Sequence, residues 1–329
     1  MHPRAVMPPL KSLLKSSEVE DPVNVWVHRP LAYAFAWLVF RTPITPNGVT
    51  LFAMIVGIAA GVSFVAGTPA AMLAGGALLW AASILDGADG ILARARKAES
   101  QFGRALDGTA DMVVAVCTVL PAFFHIWTTR GEVVELLAMG PALLLTVAHL
   151  YAYDYFKESY LRQTRPGRGG EGDDPEAVAR LVAPAREKGI LTFVAVKLVL
   201  LPFVSAQQKL VDFLVPAAHR EGRHTEVTAA SAAVYRRHNE GPMRLWAVIS
   251  LAPHSYLMAI CAMLDRLDSY LWIRLLLMNA IFVTVVAWQR RATERTNREL
   301  MALGALDGEE RGLLDDVTRL PTSGSGRGH

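Results

Sequence analysis

Residues 85–111 read LDGADGILARARKAESQFGRALDGTAD, and they carry four aspartates: Asp86, Asp89, Asp107 and Asp111. Apolar runs long enough to cross a bilayer flank the stretch. A carboxylate near the centre of a spanning helix costs about 2.5–3.5 kcal/mol on insertion scales. Four close together also repel one another unless a cation or protons intervene. A divalent metal site at a membrane surface removes both costs, and that is the expectation this stretch sets.

Working outward, 52% of the 329 residues are hydrophobic, too apolar for an ordinary soluble domain and suited to an all-α integral membrane protein. Six spanning helices are expected, over 49–66, 70–91, 106–127, 134–153, 243–264 and 269–288. Each is near the roughly 20 residues that cross about 30 Å of hydrocarbon. The net charge of +3 is mild, and Lys and Arg gather beside the apolar runs, so no nucleic-acid partner is expected. Lys11, Lys15, Arg29 and Arg41 precede the first span; Arg94, Arg96, Lys97 and Arg104 join the second to the third; Arg290, Arg291, Arg295 and Arg298 follow the sixth. With six spans all three groups share one side. The positive-inside rule then puts both termini and the aspartates in the cytoplasm of a bacterial-type cell membrane. Residues 1–22 lack the apolar core of a secretory signal. Cys117 and Cys261 lie inside apolar segments and read as small buried hydrophobes rather than a disulfide.

The domain reading follows the spans. Residues 1–44 form an N-terminal region whose Val23–Phe40 segment, with Trp26, Leu31, Phe35 and Leu38, reads as an amphipathic helix along the inner surface. Residues 45–154 hold four spans and the aspartates, 155–241 a helical cytoplasmic or interfacial insert, 242–289 the last two spans, and 290–329 a partly disordered tail. Within the insert, Ile190–Val204 contains Lys197 and Pro202 and reads as an interfacial or partly buried helix rather than a span. The Gly-rich stretch 165–174 reads as a mobile loop.

At 100° per residue, Asp86, Asp89, Gly90 and Ala93 share one arc at the end of the second span. Gly103, Asp107 and Asp111 form a stripe at spacing four at the start of the third. The link 95–102 is short, so the two helices are expected to be antiparallel neighbours with meeting acidic faces. Hard cations such as Mg²⁺ take oxygen ligands and often share their shell with substrate phosphates. Gly90, Ala93 and Gly103 leave room for a bulky ligand, and Arg94 adds a cation able to pair with phosphate.

These residues resemble the motif of the CDP-alcohol phosphotransferase (CDP-alcohol phosphatidyltransferase) family: D-x-x-D-G-x-x-A-R, eight residues, then G-x-x-x-D-x-x-x-D. Asp86, Asp89, Gly90, Ala93, Arg94, Gly103, Asp107 and Asp111 fill every fixed position. Thr45-Pro46-Asn47-Gly48-Val49-Thr50 is similar to an element that often opens the family's first span. The resemblance implies an enzyme in which Asp86, Asp89 and Asp107 hold one or two Mg²⁺ or Mn²⁺ ions on the CDP diphosphate. Asp111 would act as general base and as a metal contact as well. Gly90, Ala93, Arg94 and Gly103, with Asn47 and Thr50 on the cytidine side, would hold the nucleotide. It implies transfer from a CDP-linked donor, CDP-diacylglycerol foremost, to a small polar alcohol with release of CMP, among membrane lipids and in a homodimer. A CDP-headgroup donor with a lipid or inositol-phosphate acceptor uses the same motif.

Two other classes compete: an intramembrane prenyltransferase, which needs no cytidine pocket, and a cation-coupled transporter, which predicts internal repeats that the chain lacks. Pro253, His254, Ser255 and Tyr256 interrupt the fifth span and read first as a kink, second as part of an acceptor pocket. His149, Tyr151, Tyr153 and Asp154 read as interfacial residues at the end of the fourth span. Arg274, inside the sixth, reads as snorkelling outward or pairing within the bundle, apart from catalysis. Arg41 and Lys197 read as anion contacts or headgroup-facing cations.

Overall fold

Threonine–proline pairs start the first two spanning helices. Thr45 accepts a hydrogen bond from the Gly48 backbone N–H at 3.1 Å, and Thr68 accepts one from Ala71 at 3.2 Å. Pro46 and Pro69 follow, where a missing N–H costs nothing and a fixed φ favours the helix. Gly67, at φ 66°, closes the first helix in the left-handed conformation that glycine adopts without strain. The computed structural model describes residues 6–14, 18–165, 175–187, 189–218 and 227–303. The loop expected at 166–174 and the tail from 307 lie outside the described residues.

A π-helical turn, Asn24–His28, leads into α1 (Arg29–Val39). The following helices are α2 (Pro46–Ala66), α3 (Pro69–Ala95), α4 (Gln101–Thr129) and α5 (Val133–Gln163). Next come α6 (Pro175–Glu187), α7 (Ile190–Val194), α8 (Leu201–Leu214) and α9 (Ala229–Ala247). The last are α10 (Leu251–Met263), α11 (Leu267–Trp272) and α12 (Met278–Ala302). Among the described residues there is no strand. Six helical stretches are long and apolar enough to cross a membrane: Pro46–Ala66, Pro69–Ala95, Phe102–Thr129, Val133–Gln163, Ala229–Met263 and Leu267–Ala302. The chain is therefore an all-α integral membrane protein with six spans. The last three helices run well past their apolar portions, because a helix satisfies its own backbone whether or not its side chains are apolar.

The fifth span breaks three residues before Pro253, not at it. Val248, Ile249 and Ser250 bond three residues back instead of four, and α10 then restarts with Pro253 in its first turn. A proline ring excludes the carbonyl four residues earlier and offers no N–H, so the ladder fails upstream of the ring.

The chain divides into two compact units: residues 1–153 with 244–284, and residues 154–243 with 285–329. In the first, α2 packs on both α3 and α4. As expected, the acidic faces of α3 and α4 meet, with carboxylate oxygens of Asp86, Asp89 and Asp107 within 4.8 Å of one another, and α2 is wedged against both helices. Its small residues allow it. A Cβ on Gly61 would lie 1.7 Å from the Cys117 carbonyl oxygen, and one on Gly75 of α3 would lie 2.8 Å from the Phe64 ring. Gly61→Ala is therefore expected to force α2 from α4 and cost roughly 1–3 kcal/mol or more. Gly140→Ala, at a helical site with nothing within 4 Å, is expected to be neutral or stabilising. Thermal unfolding in detergent checks the pair, and equal midpoints for both variants would refute the wedge.

Segments before α2 are strapped to this unit. Tyr33 Oη donates to the Pro8 carbonyl at 3.1 Å and Tyr153 Oη to that of Val19 at 2.9 Å. On α1, Ala32, Ala36 and Val39 are buried, whereas Leu31, Trp37 and Leu38, like Trp26 in the preceding turn, are exposed. Arg96 carries no acidic partner among the described residues; it donates to the carbonyls of Val39, Phe40, Thr42 and Ile44, fixing the α1–α2 joint. Asp21 accepts from the Asn24 backbone at 3.0 Å and from Tyr256 Oη at 3.3 Å. Burial holds its carboxyl above the ordinary 3.8. A carboxyl raised in the fold costs stability as pH climbs from its unfolded value through its folded one. Asp21→Asn keeps the Oδ1 acceptor and is expected to raise the unfolding midpoint at neutral pH, with the gain vanishing near pH 3; an unchanged midpoint at pH 7 would refute this.

In the second unit a buried amide network joins α9 and α12. Asn239 Nδ2 donates to Thr296 Oγ1 at 3.0 Å, and Gln289 Nε2 donates to Asn239 Oδ1 at 2.8 Å. The 190–214 stretch, interrupted by a π-helical turn at Ala195–Leu200, is not among the six spans, and Val204, Gln207, Val211 and Leu214 are its buried face. Lys197 is exposed, 5.3 Å from the Phe193 ring. Cys117 and Cys261 are both free.

Candidate metal and phosphate site

The end of α3 presents Asp86, Asp89, Gly90, Ala93 and Arg94. The helix closes with Lys97 at φ 53°, while the Ala98 N–H reaches back to the Ala93 carbonyl at 2.8 Å and the Lys97 N–H to that of Arg94 at 3.1 Å. This pairing satisfies the terminal carbonyls and reverses the chain. Ser100 then caps α4, its Oγ accepting from the Gly103 N–H at 2.9 Å. Two tight termini on a short link thus bring Gly103, Asp107 and Asp111 back toward α3.

Carboxylate oxygens of Asp86, Asp89 and Asp107 lie within 4.8 Å of one another. Asp89 is buried; Asp86, Asp107 and Asp111 are half-buried. Asp111 sits one turn beyond Asp107, and its charge, with those of Asp107 and Asp89, acts on Asp86. Three carboxylates this close are stable together only with compensating positive charge or protons. Their all-oxygen donor set fits a hard divalent cation.

The supporting residues come from the start of α2 and the end of α3. Thr50 Oγ1 on α2 donates to Asp89 Oδ2 and also lies 3.2 Å from the Pro46 carbonyl. Asn47, on the same first turn, brings Oδ1 to 3.2 Å from where a Gly103 Cβ would stand. The Arg94 guanidinium lies 3.2 Å from the corresponding point on Gly90, and its Nε donates to the Leu13 carbonyl at 2.5 Å. Ala93 is half-buried beside them. All ten residues expected at the site therefore lie on the facing ends of α2, α3 and α4.

One residue escaped the sequence reading. Arg29, at the start of α1, is clamped by Glu20, with Nε and Nη2 donating to the two carboxylate oxygens at 2.8 and 3.0 Å. Its Nη1 lies 3.5 Å from the position of a Gly87 Cβ, and its charge acts on Asp86. Sequence gave it only as one of several cations flanking a span; no spacing links residue 29 to residue 86.

None of the curated proteins matches the chain. The family model for CDP-alcohol phosphatidyltransferase matches residues 43–218, which take in the Thr45–Thr50 cap, all four aspartates and more than half of the chain. That family consists of transferases of phosphate-containing groups, acting between a CDP-alcohol and an acceptor alcohol. The match, together with the carboxylates gathered at the ends of α3 and α4, gives the identification: this chain belongs to the CDP-alcohol phosphatidyltransferase family.

Proposed function

We propose that the protein transfers a substituted phosphate from a CDP-linked donor, CDP-diacylglycerol foremost, to the hydroxyl of a small polar alcohol, releasing CMP. The observation that carries this reading is the set of three carboxylates within 4.8 Å inside the family-matched segment. Asp86, Asp89 and Asp107 would hold Mg²⁺ or Mn²⁺, and an ion bound there supplies neutralisation of charge on the donor's diphosphate. Asp111 takes the proton of the acceptor hydroxyl. The acceptor oxygen bonds to the phosphorus distal to cytidine, the bond from that phosphorus to the bridging oxygen breaks, and CMP leaves with the electron pair. Thr50 orients Asp89, so its role lies with the carboxylates rather than with cytidine. Gly90, Ala93 and Gly103 leave space for the nucleotide, beside Asn47 and Arg94.

Arg29 joins this machinery through Nη1, which Glu20 leaves unclaimed, as a contact for the donor's phosphates. Arg29→Met is expected to lower kcat/KM for the donor about 10-fold, consistent with a charge-assisted hydrogen bond. An unchanged kcat/KM would remove Arg29 from the site.

The basic flanks support a cytoplasmic position for the site and for both described ends of the chain. Labelling of Lys97→Cys in intact cells by an impermeant reagent would overturn that orientation. The homodimer belongs to the same reading, and full activity from a monodisperse monomer would overturn it. The central experiment incubates purified protein with labelled CDP-diacylglycerol, Mg²⁺ and a panel of alcohols. CMP release that stops with EDTA is expected; no release from any CDP-linked donor would sink the reading. Release only from a CDP-headgroup donor with a lipid acceptor would reverse which substrate carries the lipid.

A further inference from the structure

The sixth span carries a buried arginine outside the aspartate site. Arg274 is 2% exposed and lies in a π-helical turn, Ile273–Leu277, between α11 and α12. Such turns recur at functional sites. Its Nε donates to Thr146 Oγ1 on α5, and its guanidinium lies 5.9 and 5.8 Å from the ring centroids of Phe123 and Tyr270. It neither snorkels outward nor, among the described residues, forms an ion pair with a carboxylate. Nη1 is buried with no hydrogen-bond partner. The cation whose charge acts on Asp86 is Arg29, so Arg274 is not the counter-charge of the aspartates.

Two histidines share its neighbourhood. The Arg274 charge reaches both His149 and His254, whose rings stack with centroids 6.0 Å apart. His149 is fully buried, not interfacial, and His254 is 4% exposed. His149 Nδ1 and both ring nitrogens of His254 have no hydrogen-bond partner. Asn279 sets the tautomer of His149. Its Nδ2 donates to the Leu275 carbonyl at 2.7 Å and to that of Arg274 at 3.3 Å, so its Oδ1 faces His149 Nε2 at 3.1 Å. Nε2 therefore donates, and Nδ1 is the acceptor of the neutral ring.

Four buried nitrogens without a hydrogen-bond partner thus sit on three side chains, one of them an arginine with no carboxylate partner among the described residues, inside a spanning bundle. Burying a charge and polar nitrogens this way is costly unless a ligand satisfies them. We infer that Arg274, His149 and His254 form an internal binding site for a phosphate group that carries a hydroxyl. Arg274 Nη1 and the His254 N–H donate to its oxygens, and its hydroxyl donates to His149 Nδ1. Inorganic hydrogen phosphate and the monoester headgroup of phosphatidic acid both have this chemistry. The inference stands apart from the proposed transfer reaction.

The test uses the full chain in detergent with EDTA, which strips divalent ions from the aspartates. Inorganic phosphate at about 10 mM, against chloride at matched ionic strength, is expected to raise the unfolding midpoint by at least about 2 °C. In nanodiscs, native mass spectrometry reads whether phosphatidic acid, rather than phosphatidylcholine, stays bound. A phosphate shift lost in Arg274→Gln identifies free phosphate; a phosphatidic acid adduct lost in that variant identifies the lipid. Arg274→Lys and His254→Phe guard against a misfolded glutamine variant: the first is expected to retain at least half of the effect, the second to lose most of it. No shift and no adduct in the wild type, or an effect undiminished in both Arg274→Gln and His254→Phe, would overturn the site.

Discussion

Asp89→Asn is expected to reduce CMP release at low millimolar Mg²⁺ by more than the roughly 10–100-fold that loss of a residue merely supporting a metal ligand costs. Asp89 is the most buried of the three gathered carboxylates, 6% exposed, and its orientation is fixed by Thr50. Asparagine matches its shape and can still accept from Thr50 through Oδ1, so what the variant removes is charge. The same substitution relieves repulsion among Asp86, Asp89 and Asp107 and is expected to raise the unfolding midpoint in EDTA. Excess Mg²⁺ should recover part of the activity. Two readouts moving in opposite directions separate a functional carboxylate from a structural one. Wild-type activity at the usual Mg²⁺ concentration, or a midpoint lowered in EDTA, would sink this account.

Asp111→Asn should produce a different defect. A general base contributes about 10²–10⁴-fold, and loss on that scale is expected in kcat. Asp111 sits one helical turn beyond Asp107, outside the trio whose oxygens lie within 4.8 Å. Donor binding and the Mg²⁺ dependence of the residual rate should therefore stay close to wild type. Single-turnover CMP release and a donor-binding titration measure the two quantities separately. If donor binding falls in step with kcat, Asp111 is a metal ligand first and the proton passes elsewhere.

The acidic motif and the six spans were legible because each is written locally. Four aspartates recur at helical spacing, and an apolar run announces its own length. The geometry between them was not. A short link shows that the acidic faces can meet, but not that α2 is wedged against both helices, which Gly61 and Gly75 permit by removing side chains where helices approach closely. Thr50 reads from sequence as a nucleotide contact, and nothing in its spacing announces that its hydroxyl donates to Asp89, 39 positions away. Arg29 and Arg96 were both read as flanking charges. One is clamped by Glu20 beside Asp86, and the other is spent on backbone carbonyls. A charge count assigns every arginine the same meaning, whereas the fold gives each a separate partner. Arg274 shows the same limit: sequence left open whether it turned outward or inward, and burial at 2% decides it.

Arg96 also carries a mechanical meaning. The six residues between Val39 and Pro46 have few backbone bonds to hold them, and four of their carbonyl neighbours, on Val39, Phe40, Thr42 and Ile44, are gripped by this one guanidinium. Arg96 itself belongs to the link that joins the two acidic helices, two residues beyond Arg94. The guanidinium thereby ties the end of α1 to the acidic link, alongside the packing of Ala32, Ala36 and Val39 with Ala88, Ile91 and Leu92. A change in the slope of α1 is therefore expected to be felt at the link that leads to Asp107 and Asp111.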